Sequence, residues 1–398
     1  MVPLVVAAGF GVAYLLSWGL NWLALIPWRR SVGLHWTARA RMLYPIRRAA
    51  RVNPFLLTAG IWGLNWTLAP GMDLASMILP ALFGALLGNF FLNREVYPEL
   101  RFGSWALFVL VVMLLVYGAW FTVLVGGIFM PHHFGPWTWA IGATTLTAMI
   151  ALQLGPRSLL LARLGMFHLA PARLKAIVDE MSLRLRTPVR NTWTVQAPMS
   201  NAAALPVSRE LIFTEKFLSS HPDDEIRAVC AHELGHLNEP RRILLARVAM
   251  VFSAFPLVFT KPVSQTFGPT SLVWLWLPIP ILMLVVIRVS RQMEKRADRI
   301  AVEEQTDKAV YARALERLYE TNSMPAVMPR RSLKIHPDLY DRMLAAGITP
   351  DFPKPEPPKG QCWTTFAVVL AILAPGTLGF AYHFSWVIQN ALGIKPGF

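Results

Sequence analysis

The sequence predicts a mostly α-helical, polytopic membrane protein of about seven to eight transmembrane helices, with an α+β domain on the cytoplasmic side. Three observations predict it. The first is composition: 398 residues, 55% hydrophobic and only 15% charged, with a mean hydropathy of +0.43. Soluble domains carry about a quarter charged residues. The second is a series of apolar runs of about 17–27 residues, long enough to cross a bilayer as helices. The third is the charge of the segments between those runs, which agrees with a single orientation.

The runs fall near 3–28, 54–70, 72–93, 104–130, 137–155, 243–260, 271–289 and 363–389. The first is too long for a cleavable signal core and lacks a basic leader, so it is expected to be retained. Only the short stretch Gly71-Met72-Asp73 marks the junction of the second and third, which predicts a tight hairpin or a re-entrant segment. Residues 29–53 hold Arg29, Arg30, Arg39, Arg41, Arg47, Arg48 and Arg51 with no acidic residue, so they read as a cytoplasmic loop. That places the N-terminus outside, with the turns at 131–137 and around Lys261. The longer segments 157–242 and 290–361 fall inside. The net charge of +15 is then explained by orientation signals and lipid headgroups, and nucleic acid is not expected as a partner.

The expected organisation is an N-terminal transmembrane bundle over 1–156 and the first part of a cytoplasmic domain over 157–242. A transmembrane hairpin (243–289), the second part of that domain (290–349), a proline-rich linker (350–361) and a final span (362–398) complete it. Within the polar segments, 171–186 has helical apolar spacing opened by Pro171. Residues 191–196 and 209–214 read as strands. A helix start is marked by Ser220 or His221 as cap, Pro222, and the acidic Asp223, Asp224 and Glu225 at the positive end of the helix dipole. The two cysteines, Cys230 and Cys362, support neither a disulfide framework nor a cysteine metal site.

That marked helix carries His232-Glu233-Leu234-Gly235-His236. Histidines four apart share one helix face, a turn from each other, and suit two nitrogens on one zinc ion at about 2.0–2.1 Å. Glu233 projects beside that face, within reach of a water on the metal. A catalytic site needs a third protein ligand. The best candidate lies in 290–304, where Glu294 and Asp298 are again four apart, with Ala297 and Ala301 allowing close helix packing. The other reading of 290–304 is a charged surface face beside Lys295, Arg296 and Arg299. With no proline or glycine after Pro280, one helix can carry both the span ending near Val289 and Glu294. The two ligand helices would then be the cytoplasmic ends of one hairpin, with the metal about 10 Å from the membrane surface.

At this point the sequence resembles the integral-membrane zinc metallopeptidases that include the CAAX prenyl endopeptidase and the HtpX-type quality-control proteases, gluzincins of HExxH…ExxxD form. The matching stretches are 201–218, His232–His236, Glu294–Asp298 and 336–342. Val207 and Ser208 stand where relatives often have glycines, and Ile335 where a hydroxyl residue is usual. The resemblance implies a zincin-like metalloprotease domain and one catalytic Zn2+ held by His232, His236 and Glu294. It implies Glu233 as base, Asp298 behind a ligand histidine, His336 as donor to the developing oxyanion, and Asn201 and Arg342 as substrate-binding. A surface histidine at a helix start is the other reading of His336, and a turn cap that of Asn201.

The function expected is a zinc-dependent endopeptidase of a bacterial inner membrane, acting on peptides or membrane proteins in quality control or processing. A dedicated processing protease for prenylated or other apolar peptides is one alternative, and a non-catalytic zinc-bound sensor or scaffold is another. The oligomeric state is left open.

Overall fold

The computed structural model describes residues 2–68, 74–155, 157–329 and 336–371. Most of them are helical, with one small sheet. They form two compact units, Met1–Leu100 with Pro357–Phe398, and Arg101–Glu356.

In the first unit, helices Val2–Ala24 and Leu74–Val96 pack along their lengths. Gly84 and Gly88, one turn apart, make this possible. A Cβ on Gly84 would lie 2.2 Å from the Phe10 carbonyl oxygen, and one on Gly88 would lie 2.7 Å from Ser17 Cβ. Small residues at this spacing are how apolar helices approach closely when hydrophobicity cannot drive them together. Polar side chains seal the contact. Ser17 Oγ donates to the Ala85 carbonyl (2.7 Å), Asn21 Nδ2 to Asn89 Oδ1 (2.7 Å), and Asn89 Nδ2 to the Ala50 carbonyl (2.7 Å).

The arginine-rich stretch differs from the loop expected at 29–53, because most of it lies in the helix Trp36–Leu68, which runs through Pro45 and Pro54. Its alanine, arginine, leucine and methionine are strong helix formers, and no glycine interrupts it before Gly60.

Among the described residues four helices are long and apolar enough to cross a membrane: Val6–Arg29, Phe102–Phe129, Arg241–Phe267 and Pro269–Glu303. A fifth results if the bent pair Pro136–Leu154 and Arg157–Arg163 counts as one span. These features mark a membrane protein. The expected runs 54–70, 72–93 and 363–389 extend into residues outside the described ones.

The turn between the third and fourth of these helices sits at Gly268 (φ +80°), a left-handed position suited to glycine. It does not sit at Lys261, which lies inside the helix Thr260–Phe267. The Lys261 ammonium instead donates to the Ile128 carbonyl (2.7 Å), one of the carbonyls left open where helix Gly118–Phe129 ends.

The second unit also holds the sheet. Strands β1 (Phe167–Leu169), β2 (Asn191–Val195), β3 (Ala202–Leu205) and β4 (Glu210–Thr214) lie in the order β1-β2-β4-β3. The β2–β4 pair is parallel and the other two pairs are antiparallel, so β3 is an edge strand. Every residue of β4 is buried. Its Glu210 carboxylate is satisfied inside the fold by Ser158 Oγ (2.6 Å), Asn191 Nδ2 (3.0 Å) and Trp193 Nε1 (3.1 Å).

The helix Asp223–Leu237 packs on β3 and between Ala172–Arg184, Pro278–Glu303 and Ala309–Thr321. Its cap differs from expectation. Pro222 takes the extended cap position, whereas Ser220 and His221 finish the preceding helix Glu215–Ser220. The acidic first turn is as the dipole prefers. Glu225 in it receives both Nε (2.8 Å) and Nη2 (3.1 Å) of Arg317, which ties down Ala309–Thr321.

One side chain fixes the entry to β3. The buried Asn322 accepts from the Ser200 backbone N–H (2.8 Å) and donates to the Ser200 carbonyl (2.6 Å). Asn322→Leu strips two buried backbone groups of partners, so it should destabilise the second unit by on the order of 2–4 kcal/mol. Chemical unfolding of the purified chain in detergent measures this, and a change under about 0.5 kcal/mol would contradict the assignment.

Candidate active site

Two helices build the site. Asp223–Leu237 presents His232, Glu233 and His236, and Pro278–Glu303, unbroken from Pro278, presents Glu294 and Asp298. They meet where Gly235 faces Ala297. A Cβ on Gly235 would lie 3.2 Å from Ala297 Cα and 3.3 Å from its Cβ. Ala297 and Ala301 are themselves buried at this contact. Any larger residue would push the glutamate helix away from the histidines.

The result is a convergence of three atoms. His232 Nε2 and His236 Nε2 lie 3.2 Å apart. Glu294 Oε2 is 3.6 Å from the first, and Oε1 is 3.5 Å from the second. All three side chains are buried, and their ligand atoms form a group able to hold a metal ion.

The hydrogen-bond network fixes what these atoms are. Around His232 Nδ1 stand Asp298 Oδ1 (3.1 Å) and Tyr311 Oη (2.9 Å), and the Tyr311 proton is donated to Asp298 Oδ1 (2.7 Å). Nδ1 of His232 must therefore donate, which leaves a lone pair on Nε2. His236 Nδ1 faces Glu239 Oε1 at 2.7 Å, so in the neutral ring its Nε2 also carries a lone pair.

Three acceptors with no donor among them fit a cation. Tetrahedral bonds of about 2.0–2.2 Å would put neighbouring ligand atoms about 3.3–3.6 Å apart, and the two imidazole nitrogens at 3.2 Å, with each carboxylate oxygen 3.5–3.6 Å from one of them, come close to that spacing. Glu294 Oε2 is also buried without a well-aligned hydrogen bond, although His336 Nδ1 approaches to 2.7 Å.

Arg342 stands behind His232. Its guanidinium grips Asp298 with two bonds (Nε to Oδ2, 3.0 Å; Nη2 to Oδ1, 2.6 Å) and donates to Tyr311 Oη (2.8 Å). Burial and the Asp298 carboxylate raise the Tyr311 phenol well above its ordinary value, outweighing the opposing Arg342 charge, so it stays a donor.

The site thus gathers His232, Glu233, His236, Glu294 and Asp298, with His336 against Glu294 and Arg342 against Asp298. Arg342 is buried, at 8% exposure. The hydrogen bonds given for Asn201 go to Thr214 and not to this group. Its backbone N–H donates to Thr214 Oγ1 (2.9 Å) and its carbonyl accepts from the Thr214 N–H (2.9 Å), at the head of β3.

Two residues in this network were not read from the sequence, Tyr311 and Glu239. Glu239 had a local signal, a carboxylate three residues after a histidine on a helix. Tyr311 had none beyond its place on the buried face of Ala309–Thr321.

The same carboxylates act on protons. Burial alone would lower the His236 pKa, but Glu239 and Glu294 outweigh it and push the pKa up to about 10. His232 is raised likewise by Asp298 and Glu294 against burial. A proton on His236 therefore competes with any metal throughout the range below about pH 10. Metal affinity should rise with pH, and binding at pH 7–8 should release at least one proton per ion. Titration calorimetry in buffers of different ionisation enthalpy measures that release, and none at all would contradict the geometry.

This arrangement has a counterpart in the comparison of the sequence with known families. Residues 169–347, which contain every side chain named above, match the model of Peptidase family M48. Through this domain the chain is similar to a family of metallopeptidases, which supports a hydrolase acting on peptide bonds.

Proposed function

We propose that the chain is a zinc-dependent endopeptidase working at the cytoplasmic face of a membrane, in membrane-protein quality control or processing. The observation that carries this reading is the convergence of the two Nε2 lone pairs and the Glu294 carboxylate. Two imidazoles and one carboxylate are a common catalytic zinc set that leaves a coordination position open. Zinc held by His232, His236 and Glu294 would supply a Lewis acid and an acidified water.

The chain's own residues supply the rest. Glu233 takes the water proton and delivers it to the departing amine. β3 ends the sheet, so its outer edge offers unpaired N–H and C=O groups, and an extended peptide can add there as a further strand. Asn201 sets the register of that edge through Thr214. His336, its Nδ1 turned to Glu294, offers its other nitrogen to the oxyanion. Arg342 acts through Asp298 and Tyr311 on the orientation of His232, and not on the peptide.

The placement in the membrane follows from charge and aromatic residues. Exposed Phe129, Trp137, Trp139, Phe267 and Trp274 gather at the helix ends remote from the metal ligands. Phe134 joins them, 5.8 Å from Trp139 and 6.4 Å from Phe267 between ring centroids. Such residues favour a membrane–water interface. Within the same unit, Arg288, Arg291, Arg296 and Arg299 lie at the ligand end of Pro278–Glu303, which supports a cytoplasmic site and an outer turn at 131–137.

Two experiments test these statements. Glu233→Gln should retain one zinc per chain and lose peptide cleavage by at least about 100-fold, the scale of general-base catalysis. Undiminished cleavage would refute the mechanism, whereas bound zinc with no cleavage of any peptide by the wild-type protein would favour a scaffold. Membrane proteomes of cells with the wild-type and Glu233→Gln proteins would separate broad turnover from a single processed, lipidated substrate. For orientation, native Cys230 and Cys362 are buried, so an introduced thiol can be read alone. A membrane-impermeant maleimide should label His133→Cys in intact cells and Arg190→Cys only after permeabilisation, and the reverse pattern would overturn the topology.

A further inference from the structure

We infer that Glu239, anchored by Arg247, is the residue that positions His236 for metal binding, so that each ligand histidine has its own carboxylate–arginine pair behind it. The inference rests on the proposal that His236 is a ligand.

Behind His232 stand Asp298 and Arg342, as described above. Behind His236 the pattern repeats with residues from another part of the chain. Glu239 Oε1 accepts from His236 Nδ1 at 2.7 Å and from Arg247 Nη2 at 3.1 Å. The Glu239 side chain is only 3% exposed and that of Arg247 is 30% exposed. A carboxylate is not buried cheaply. Oε2 of Glu239 has no hydrogen bond at all, which leaves a desolvation cost that Arg247 offsets only in part.

A surface ion pair would have given the fold the same linkage at less cost. What the buried position adds is a fixed proton on Nδ1 and a fixed ring plane for His236. A metal-bound imidazole needs both, and losing the partner that provides them costs about 10–100-fold in metal affinity.

The setting shows how the position is held. Glu239 follows the end of the histidine helix, its N–H bonded to the His236 carbonyl (3.3 Å), and Pro240 then opens the helix Arg241–Phe252. Arg247 lies in that helix, the first part of the candidate span Arg241–Phe267. The neighbouring Asn238 carbonyl is held by Arg296 Nη1 (3.1 Å) from the glutamate helix. The membrane-entering helix therefore reaches the metal site through one ion pair.

The test uses the full-length chain in detergent, with Zn2+ competed against a chromophoric chelator and Co2+ absorption as a report on ligand geometry. Glu239→Ala should bind Zn2+ about 10–100-fold more weakly and alter the Co2+ spectrum. Glu239→Gln, which keeps an acceptor for the Nδ1 proton, should recover part of the loss. If the alanine variant does not fold, the double variant Glu239→Met with Arg247→Met removes the pair as a neutral, apolar replacement and should show the same weakening. Wild-type Zn2+ affinity and Co2+ spectrum in either variant would overturn the inference. His236→Ala is measured alongside. Loss of Zn2+ there, with no loss in the Glu239 variants, rejects the positioning role alone. Unchanged Zn2+ binding in His236→Ala rejects the ligand assignment itself.

Discussion

The close approach of Gly235 to Ala297 is the constraint on which the rest of the second unit depends. A methyl group on Gly235 would already press on the facing backbone at 3.2 Å. Only at this spacing does the Glu294 carboxylate come within about 3.6 Å of both histidine nitrogens. The glycine weakens the helix it sits in, and burial of nearly all of Asp223–Leu237 against four neighbouring elements offsets that loss. Function and stability are thus joined at one contact. The same small residues that let two helices touch also bring His232, His236 and Glu294 into one group able to hold a metal ion.

Around that contact the electrostatics are arranged to favour a cation. Three acceptors point inward and no donor stands among them. Carboxylates behind the rings hold the Nδ1 protons outward, and arginines hold the carboxylates. Without a metal, the same field draws a proton, which is why both histidines are more basic than usual. The histidine helix itself packs on the edge strand β3.

Much of this could be read from the sequence. The spacing of His232 and His236, and of Glu294 and Asp298, is helical periodicity with unusual residue types, which is local information. The strands at 191–196 and 209–214 were legible through their β-branched and aromatic residues. The less legible features depend on long-range contacts. Tyr311 is one of several residues on an ordinary amphipathic face, and only tertiary packing brings its hydroxyl to His232. Arg342 looks like a substrate cation until its burial against Asp298 is known. The helix Trp36–Leu68 overrode a loop expectation that rested on charge, because positive charge reports side of membrane and not backbone conformation. Lys261 misplaced a turn for a related reason: a lone cation in an apolar run serves a neighbouring helix end as readily as a loop.

We propose that two imidazoles and one carboxylate, held together by the Gly235–Ala297 contact, form one zinc site. X-ray absorption at the zinc edge on the purified, metal-loaded chain tests it most directly. One zinc per chain is expected, with nitrogen and oxygen ligands only, at about 2.0–2.2 Å, and an imidazole signature from two histidines. Loss of that signature in a Gly235→Leu variant would tie it to the helix contact. Sulfur ligation, a single imidazole, or no bound zinc would contradict the account.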